Sequence, residues 1–363
     1  MSVLHTRFCE LTGVQYPIVQ TGMGWVANAA LAAAVSEAGG LGIVGAATMS
    51  VAETAEAIAA VKALTSKPFG INFRADQVDV LERCDLLAEQ DVCLASFAGA
   101  PNPTVVERLK AGGVLTMPTV GARRHAEKVV AIGVDIIIAQ GGEGGGHTGS
   151  IPTSLLLPQV VDAVGDKVPV LGAGGFKDGR GLVAALAFGA DGVAMGTRFL
   201  MTAETQVPDR IKARYVKVNE KGTVVTKAID GYPQRVIRTE AIDRLERAGA
   251  LTRLYLAFAN ALKFRSITGT SIPDLLREGF AMRKSRGLTR AQMIMGANAP
   301  IMTRASMVDG DEDVGILPTG QVAGIIDDLP PAGQVIARLV VEAEETLARL
   351  QSPGQPAIRE VAG

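Results

Sequence analysis

The residues best equipped for chemistry stand in one short stretch, AQGGEGGGHTG, running from Ala139 to Gly149 behind the apolar run Val134-Asp-Ile-Ile-Ile. Six of its eleven residues are glycine, and a backbone that bare lets a ligand approach closely. At its end stands His147. An imidazole in general changes charge near neutral pH, so one placed beside a reacting group can take a proton from carbon or oxygen. Set against this, His147 is one of three histidines, with His5 and His125, and a lone histidine is often an ordinary polar residue. Glu143 and His147 could also be read as metal ligands. Two groups four apart in a glycine loop are too few, and no other His or Cys stands at a strand end, so no metal is expected.

Such a loop needs elements to position it. Short β-branched and apolar runs recur at 17–23, 41–46, 69–73, 91–98, 114–120, 135–141, 169–175 and 192–199. Between them lie segments with apolar residues at helical spacing, among them NAALAAAVSEAGG and PTVVERLKAGG, several closing on glycine as helix C-termini do. Continuously apolar strands alternating with amphipathic helices predict an α/β protein with a parallel sheet, and eight of them fit a (β/α)8 TIM barrel. A Rossmann-like sheet is the alternative, but no strand–GxGxxG–helix unit is followed by an acid about 20 residues on.

After Thr205 the alternation stops. EAIDRLERAGALTRLYLAFANALKF (240–264), SIPDLLREGFAMRKS (271–285) and LTRAQMIMG (288–296) read as helices, and 221–240 can hold a strand pair. We therefore expect a barrel over 1–204, a smaller, mostly helical second domain over 205–307 inserted after strand eight, a returning segment with an amphipathic helix over 308–350, and a loose tail at 351–363.

In a barrel the active site lies at the C-terminal strand ends. Strand one ends in Gly22-Met23-Gly24 and strand two near Gly45. Strand three delivers Asn72, strand four Ser96, strand five Thr119, and strand six Gln140 with the glycine loop. Strands seven and eight end in Ala173-Gly174-Gly175 and Met195-Gly196-Thr197. This small, uncharged rim suits a flat anionic cofactor. Peptide N–H groups at Gly174, Gly175 and Gly196, with the Thr197 hydroxyl, can meet phosphate oxygens. The amides of Asn72 and Gln140 can read the edge of a heterocycle. The plainer reading is that these glycines merely permit tight turns.

Other barrel chemistries fit less well. A Schiff-base aldolase needs a strand lysine, and none of the eight runs has one. A cysteine nucleophile is poorly placed, because Cys93 starts strand four while Cys9 and Cys84 lie outside the strands. Three unspaced cysteines read as reduced thiols. A formal charge of −1 over 363 residues gives no basic field for nucleic acid. With no signal-like start and no long apolar run, a soluble, cytoplasmic protein without membrane contact is expected. Oligomeric state cannot be read from the chain.

GMG after strand one, AQGGEGGGHTG after strand six, PVLGAGGFKDGRGLVAALAFGADGVAMGTRFL and GQVAGII near the end together resemble the nitronate monooxygenase-like flavoproteins, a group that includes flavin-dependent enoyl-thioester reductases. The resemblance spans nearly the whole chain. It implies FMN in a TIM barrel capped by a helical domain, with FMN contacts at Gly22, Met23, Gly24, Asn72, Gln140, Gly145, Gly175, Gly196 and Thr197 and a catalytic base at His147. Where nitronate enzymes usually read Glu-Ala-Gly-Gly-His, this chain reads Glu143-Gly144-Gly145-Gly146-His147. The stretch FRSITGTSIPDLLREGFAMRKSRGLTRAQMIMG looks closer to an actinobacterial branch of sterol-ring catabolism, whose members oxidise or reduce indane carboxyl-CoA thioesters.

Two features of the second domain are compatible with a bulky CoA ester. Met282, Met293, Met295, Met302 and Met307 form a cluster that could adapt to fused rings or simply fill a core. Arg277, Arg283, Lys284, Arg286 and Arg290 could meet CoA phosphates or face solvent. Three functions are thus in play. The first is an FMN-dependent dehydrogenase or reductase of a CoA thioester, with His147 moving the proton and NAD(P) resetting the flavin. The second is a nitronate monooxygenase whose flavin is reoxidised by dioxygen. The third is a flavin- or phosphate-binding protein without catalysis.

Overall fold

Each of the eight apolar runs contains a strand. In the computed structural model, which describes residues 3–249, 298–312 and 315–352, these are β1 (Ile18–Gln20), β2 (Leu41–Gly45), β3 (Phe69–Phe73), β4 (Leu94–Phe97), β5 (Leu115–Val120), β6 (Ile137–Gln140), β8 (Val170–Ala173) and β9 (Gly192–Met195). All neighbours are parallel, and β9 pairs back onto β1 through Ile18↔Val193 and Gln20↔Met195, closing the barrel. The expected TIM barrel is therefore observed. Between β6 and β8 the chain adds a two-residue strand, β7 (Gly146–His147), that the sequence pattern does not signal.

Several connecting helices begin at polar caps, α8 (Gly179–Ala187) with Asp178 among them, whereas α4 (Val80–Glu89), α6 (Arg123–Ala131) and α9 (Thr197–Leu200) have no side-chain cap. Asn28 accepts from Leu31 N at the head of α2 (Ala29–Glu37), and Ser50 with Glu53 forms a capping box on α3 (Val51–Leu64). Asn102 caps α5 (Pro103–Ala111), whose first residue is a proline with no N–H to leave unpaired. Apolar residues on both sides of the strands are buried, which is why the strand runs read as continuous rather than alternating. The N-terminal helix α1 (Arg7–Thr12) sets Phe8 and Cys9 into the apolar cluster of Val19, Leu41 and Leu94. Cys93 Sγ at the head of β4 donates to Thr12 O, so α1 lies against the strand starts and leaves the other mouth to the loops. Burial pushes the Cys84 and Cys93 thiols up to about 11, which makes them poor nucleophiles.

After β9 the chain forms α10 (Asp209–Lys217), an antiparallel pair β10 (Thr223–Thr226) and β11 (Gln234–Ile237), and α11 (Glu240–Arg247). The strand pair expected over 221–240 is present. Of the helix expected over 240–264, the first eight residues are helical and Ala248 then turns extended, while its residues from 250 on, the helices at 271–285 and 288–296, and the basic cluster lie outside the described residues. Met302 and Met307, on a helix at Asn298–Met307, are both buried. Met307 joins Ile211, Tyr215 and Leu317 in one cluster with Val26 and Leu200 of the barrel, so apolar packing runs across residue 204 without a break. A long helix over Ala332–Gln351 returns to pack Val335, Ile336 and Leu339 into the barrel's outer core. No helix of the described residues is long and apolar enough to cross a membrane.

Candidate active site

The C-terminal rim gathers most of the residues singled out from the sequence. Register places Gly45, Asn72 and Ser96 side by side on β2, β3 and β4. Asn72 is buried, and its amide donates to Ser96 Oγ at 3.3 Å. Gly22 lies flat on Asn72, because a Cβ there would sit 2.1 Å from Asn72 Cβ. Across the β1–β9 seam, a Cβ on Gly196 would come within 3.2 Å of Thr21 Oγ1 and 3.6 Å of Met23 Sδ. Gly24 faces Thr48, and next to it Trp25 holds a φ of 67°, strained for a bulky residue, with the Arg304 guanidinium 5.4 Å over its ring.

Gly174 and Gly175 take φ values of 98° and 85°, a region that side chains rarely enter. They differ in surroundings. Gly174 packs on Thr153 Oγ1 and the glycine loop, whereas the nearest atom to a Cβ on Gly175 is Glu143 Cβ at 3.7 Å. The segment GQVAGII crosses the same rim. Gly320 N donates to Thr197 Oγ1 at 2.8 Å, leaving that hydroxyl its own proton to donate, and Gln321 N donates to Glu143 O. All four sequence motifs thus converge at one end of the barrel.

The glycine loop is bare in part because the protein itself packs against it. A Cβ would lie 2.1 Å from Thr153 Oγ1 at Gly141, 2.6 Å from Gln140 Nε2 at Gly144, and 2.4 Å from Gly320 N at Gly145. Only Gly146, with φ 64°, has nothing within 4 Å among these. The Glu143 carboxylate accepts from Thr153 N and Oγ1 at 2.9 and 2.7 Å, capping α7 (Thr153–Val164). Glu143 and His147 therefore serve different partners rather than forming a ligand pair. Gln140 does not simply point out of the rim, since its Nε2 donates to His147 O at 2.9 Å.

His147 is tied to the inserted hairpin. β7 pairs antiparallel with β11, Gln234 opposite His147 and Arg235 opposite Gly146, and Thr148 N donates to Pro233 O. The imidazole Nε2 lies 2.7 Å from Asp230 Oδ2, and Tyr232 stands edge-on to the ring. Gln234 Nε2 donates to the same Asp230 oxygen at 2.6 Å, and Tyr232 N donates to Asp230 Oδ1 at 3.0 Å. The His147 side chain is 58% exposed while that of Asp230 is 7% exposed, so one edge of the ring meets protein and the rest is open. Arg235 reaches from the hairpin to Gly142 O at 2.9 Å and Thr223 Oγ1 at 3.0 Å. Burial lowers its guanidinium from the usual value, with the Glu143 charge opposing. Sequence reasoning missed Asp230, Gln234 and Arg235. The sequence signals only a strand pair over 221–240, and nothing in the spacing ties these residues to a loop 83 residues earlier.

A family model for nitronate monooxygenase matches residues 5–90 and 80–342. The chain belongs to the nitronate monooxygenase family. Its members are flavin-dependent oxidoreductases, dehydrogenases among them. A Mycobacterium tuberculosis relative is 50% identical over 94% of this chain and 96% of its own length; it is a (3aS,4S,5R,7aS)-5-hydroxy-7a-methyl-1-oxo-octahydro-1H-indene-4-carboxyl-CoA dehydrogenase. A Rhodococcus jostii protein of the same name is also 50% identical, over 94% of this chain and 97% of its own. Among solved structures, FabK from Thermotoga maritima superposes with a TM-score of 0.77 at 34% identity, covering 95% of this chain and 98% of that one. The resemblance to this family, and to its sterol-catabolism branch, is thereby established. The rim is compatible with a flavin: Gly174 and Gly175 at positive φ, open space beside Gly146, and uncharged amide and hydroxyl groups.

Proposed function

We propose that this chain is an FMN-dependent dehydrogenase of a bulky hydroxy-acyl CoA thioester of the indane carboxyl class, and that His147 moves the proton. The observation that carries this is the pair of half-identical relatives, matched along nearly their whole lengths, that act on such a thioester. FMN, when bound, supplies the two-electron acceptor for a hydride from the carbinol carbon. Gly174, Gly175, Gly196 and Thr197 would hold its phosphate with peptide N–H and hydroxyl donors. Gly22, Met23, Gly24, Asn72, Gln140 and Gly145 would line the ring, Asn72 and Gln140 through their amides. His147 takes the hydroxyl proton as the carbon is oxidised, at the open face of the glycine loop. NAD(P) is the second redox partner and enters the same cleft in turn.

The test is an anaerobic titration of the purified flavoprotein, following the flavin's visible absorbance. The hydroxy-indane carboxyl-CoA thioester should bleach it, and His147→Ala should slow that reduction by about 10²–10⁴-fold, the span for a lost general base, while the protein stays yellow. Bleaching by an alkyl nitronate but not by the thioester would replace this reading with the monooxygenase. The family match and a 34%-identical Staphylococcus saprophyticus relative named as a probable nitronate monooxygenase make that the second reading. A yellow protein that neither compound bleaches would favour binding without catalysis.

A further inference from the structure

Asp230 does more than hold a turn. We propose that it is the positioning residue of His147, fixing the imidazole in the Nε2–H form so that Nδ1 receives the substrate proton. This rests on the reading of His147 as the proton carrier. The argument begins with the 2.7 Å separation of His147 Nε2 and Asp230 Oδ2. A carboxylate oxygen accepts and has no proton to give, so a contact that close puts the hydrogen on Nε2. A neutral imidazole carries one N–H, and Nδ1 is then left with its lone pair. Among the described residues no hydrogen bond engages Nδ1.

The neighbours of Asp230 support the same assignment. Its side chain is 7% exposed, and it takes Tyr232 N on one oxygen and Gln234 Nε2 on the other. Among the described residues, both groups that bond it besides the imidazole are donors, and the imidazole completes the set. The 3.3 Å gap between Gln234 Nε2 and His147 Nε2 is the spacing of two donors sharing one acceptor. The backbone also helps. Gln234 sits opposite His147 in the β7–β11 register, and Asp230 lies four residues before it in the connection between β10 and β11, so one hairpin brings ring and carboxylate together.

In the dehydrogenase direction the substrate O–H bond breaks and an Nδ1–H bond forms. The electron pair left on oxygen would become the carbonyl π bond as the carbinol carbon gives up its hydride, for which a bound flavin would supply the acceptor. The imidazolium so formed lies against the Asp230 carboxylate. Asp230 touches neither substrate nor flavin in this scheme and acts through His147 alone.

Tautomer and turnover can be read separately. With only three histidines in the chain, ring-¹⁵N-labelled holoenzyme gives few imidazole signals, and His147→Ala identifies the one of interest. The expected wild-type spectrum shows His147 protonated at Nε2 and bare at Nδ1. Asp230→Asn presents an amide that can donate to Nε2, so the proton should move to Nδ1. Its kcat for flavin reduction should fall at least ~100-fold, as loss of the correct tautomer does in hydrolytic triads, with KM changed by less than about threefold. Asp230→Glu, which keeps an acceptor, should retain Nε2–H and recover part of kcat. A wild-type spectrum with the proton on Nδ1 would overturn the proposal even if no variant folds. So would an Asp230→Asn protein with unchanged tautomer or unchanged kcat. If His147→Ala alone left kcat intact, the proton-carrier reading would fall instead, whatever the spectrum shows.

Discussion

An ideal Cβ on Gly145 would lie 2.4 Å from Gly320 N, whereas one on Gly146, the next residue, meets nothing within 4 Å. The two glycines are bare for different reasons. Gly146 needs its positive φ of 64°, and an alanine there should cost about 1–2 kcal/mol of backbone strain while displacing nothing. Gly145→Ala must push back the Thr319–Gly320 backbone and with it the Gly320 N–H bond to Thr197 Oγ1. Overpacking of that kind costs about 1–3 kcal/mol, similar in size, so stability alone separates the two poorly. Flavin retention on gel filtration should separate them, with Gly145→Ala emerging paler than Gly146→Ala. Equal colour would mean that the Thr319–Gly320 contact does not shape the cofactor site. From the sequence, His147 and the rim glycines were readable because each follows a strand end. The particular neighbour of each glycine was not, because Gly145 meets residues some 175 positions away.

At the level of elements, the strands of the barrel were legible because each is an uninterrupted apolar run flanked by turn residues. β10 and β11 were legible as a pair. Their third strand was not, since Gly146-His147 is too short to show any period and is glycine on one side. The hairpin nevertheless grips the glycine loop by main-chain pairing and by Arg235, whose charge is partly desolvated. Arg235→Met keeps the apolar stem and removes the donors to Gly142 O and Thr223 Oγ1. Because the burial penalty of the guanidinium disappears with its hydrogen bonds, net stability should change by no more than about 1 kcal/mol. Hydrogen exchange in peptides spanning 141–148 should quicken, with exchange in β2 and β3 unchanged. Unaltered exchange in the loop would show that the backbone pairing suffices to hold it.

On the scale of the whole molecule, the order of the eight barrel strands and the return of the chain through an amphipathic helix were both readable from periodicity. What fastens that return to the barrel was not. Arg198, just past β9, donates to Asp328 Oδ1 at 2.7 Å and to Asp328 O at 3.0 Å, and Arg338 on the final helix donates to Oδ2 at 2.5 Å. These three residues span 140 positions, and in sequence each resembles any surface charge. Burial pushes the Asp328 carboxyl upward, but the hydrogen bonds and charges of Arg198 and Arg338 outweigh it and hold the group below its ordinary value. A carboxyl whose folded value lies below its unfolded value of about 3.9 contributes stability that is fully present above that pH and is lost as pH falls through the folded value. Asp328→Asn should therefore destabilise the protein near pH 7, and the gap between wild type and variant should close as pH falls below about 4. Urea unfolding of both proteins across pH 3 to 7 measures that gap. A gap that stayed constant over the range would mean that the neutral side chain's shape, and not its charge between two arginines, fastens the returning segment to the barrel.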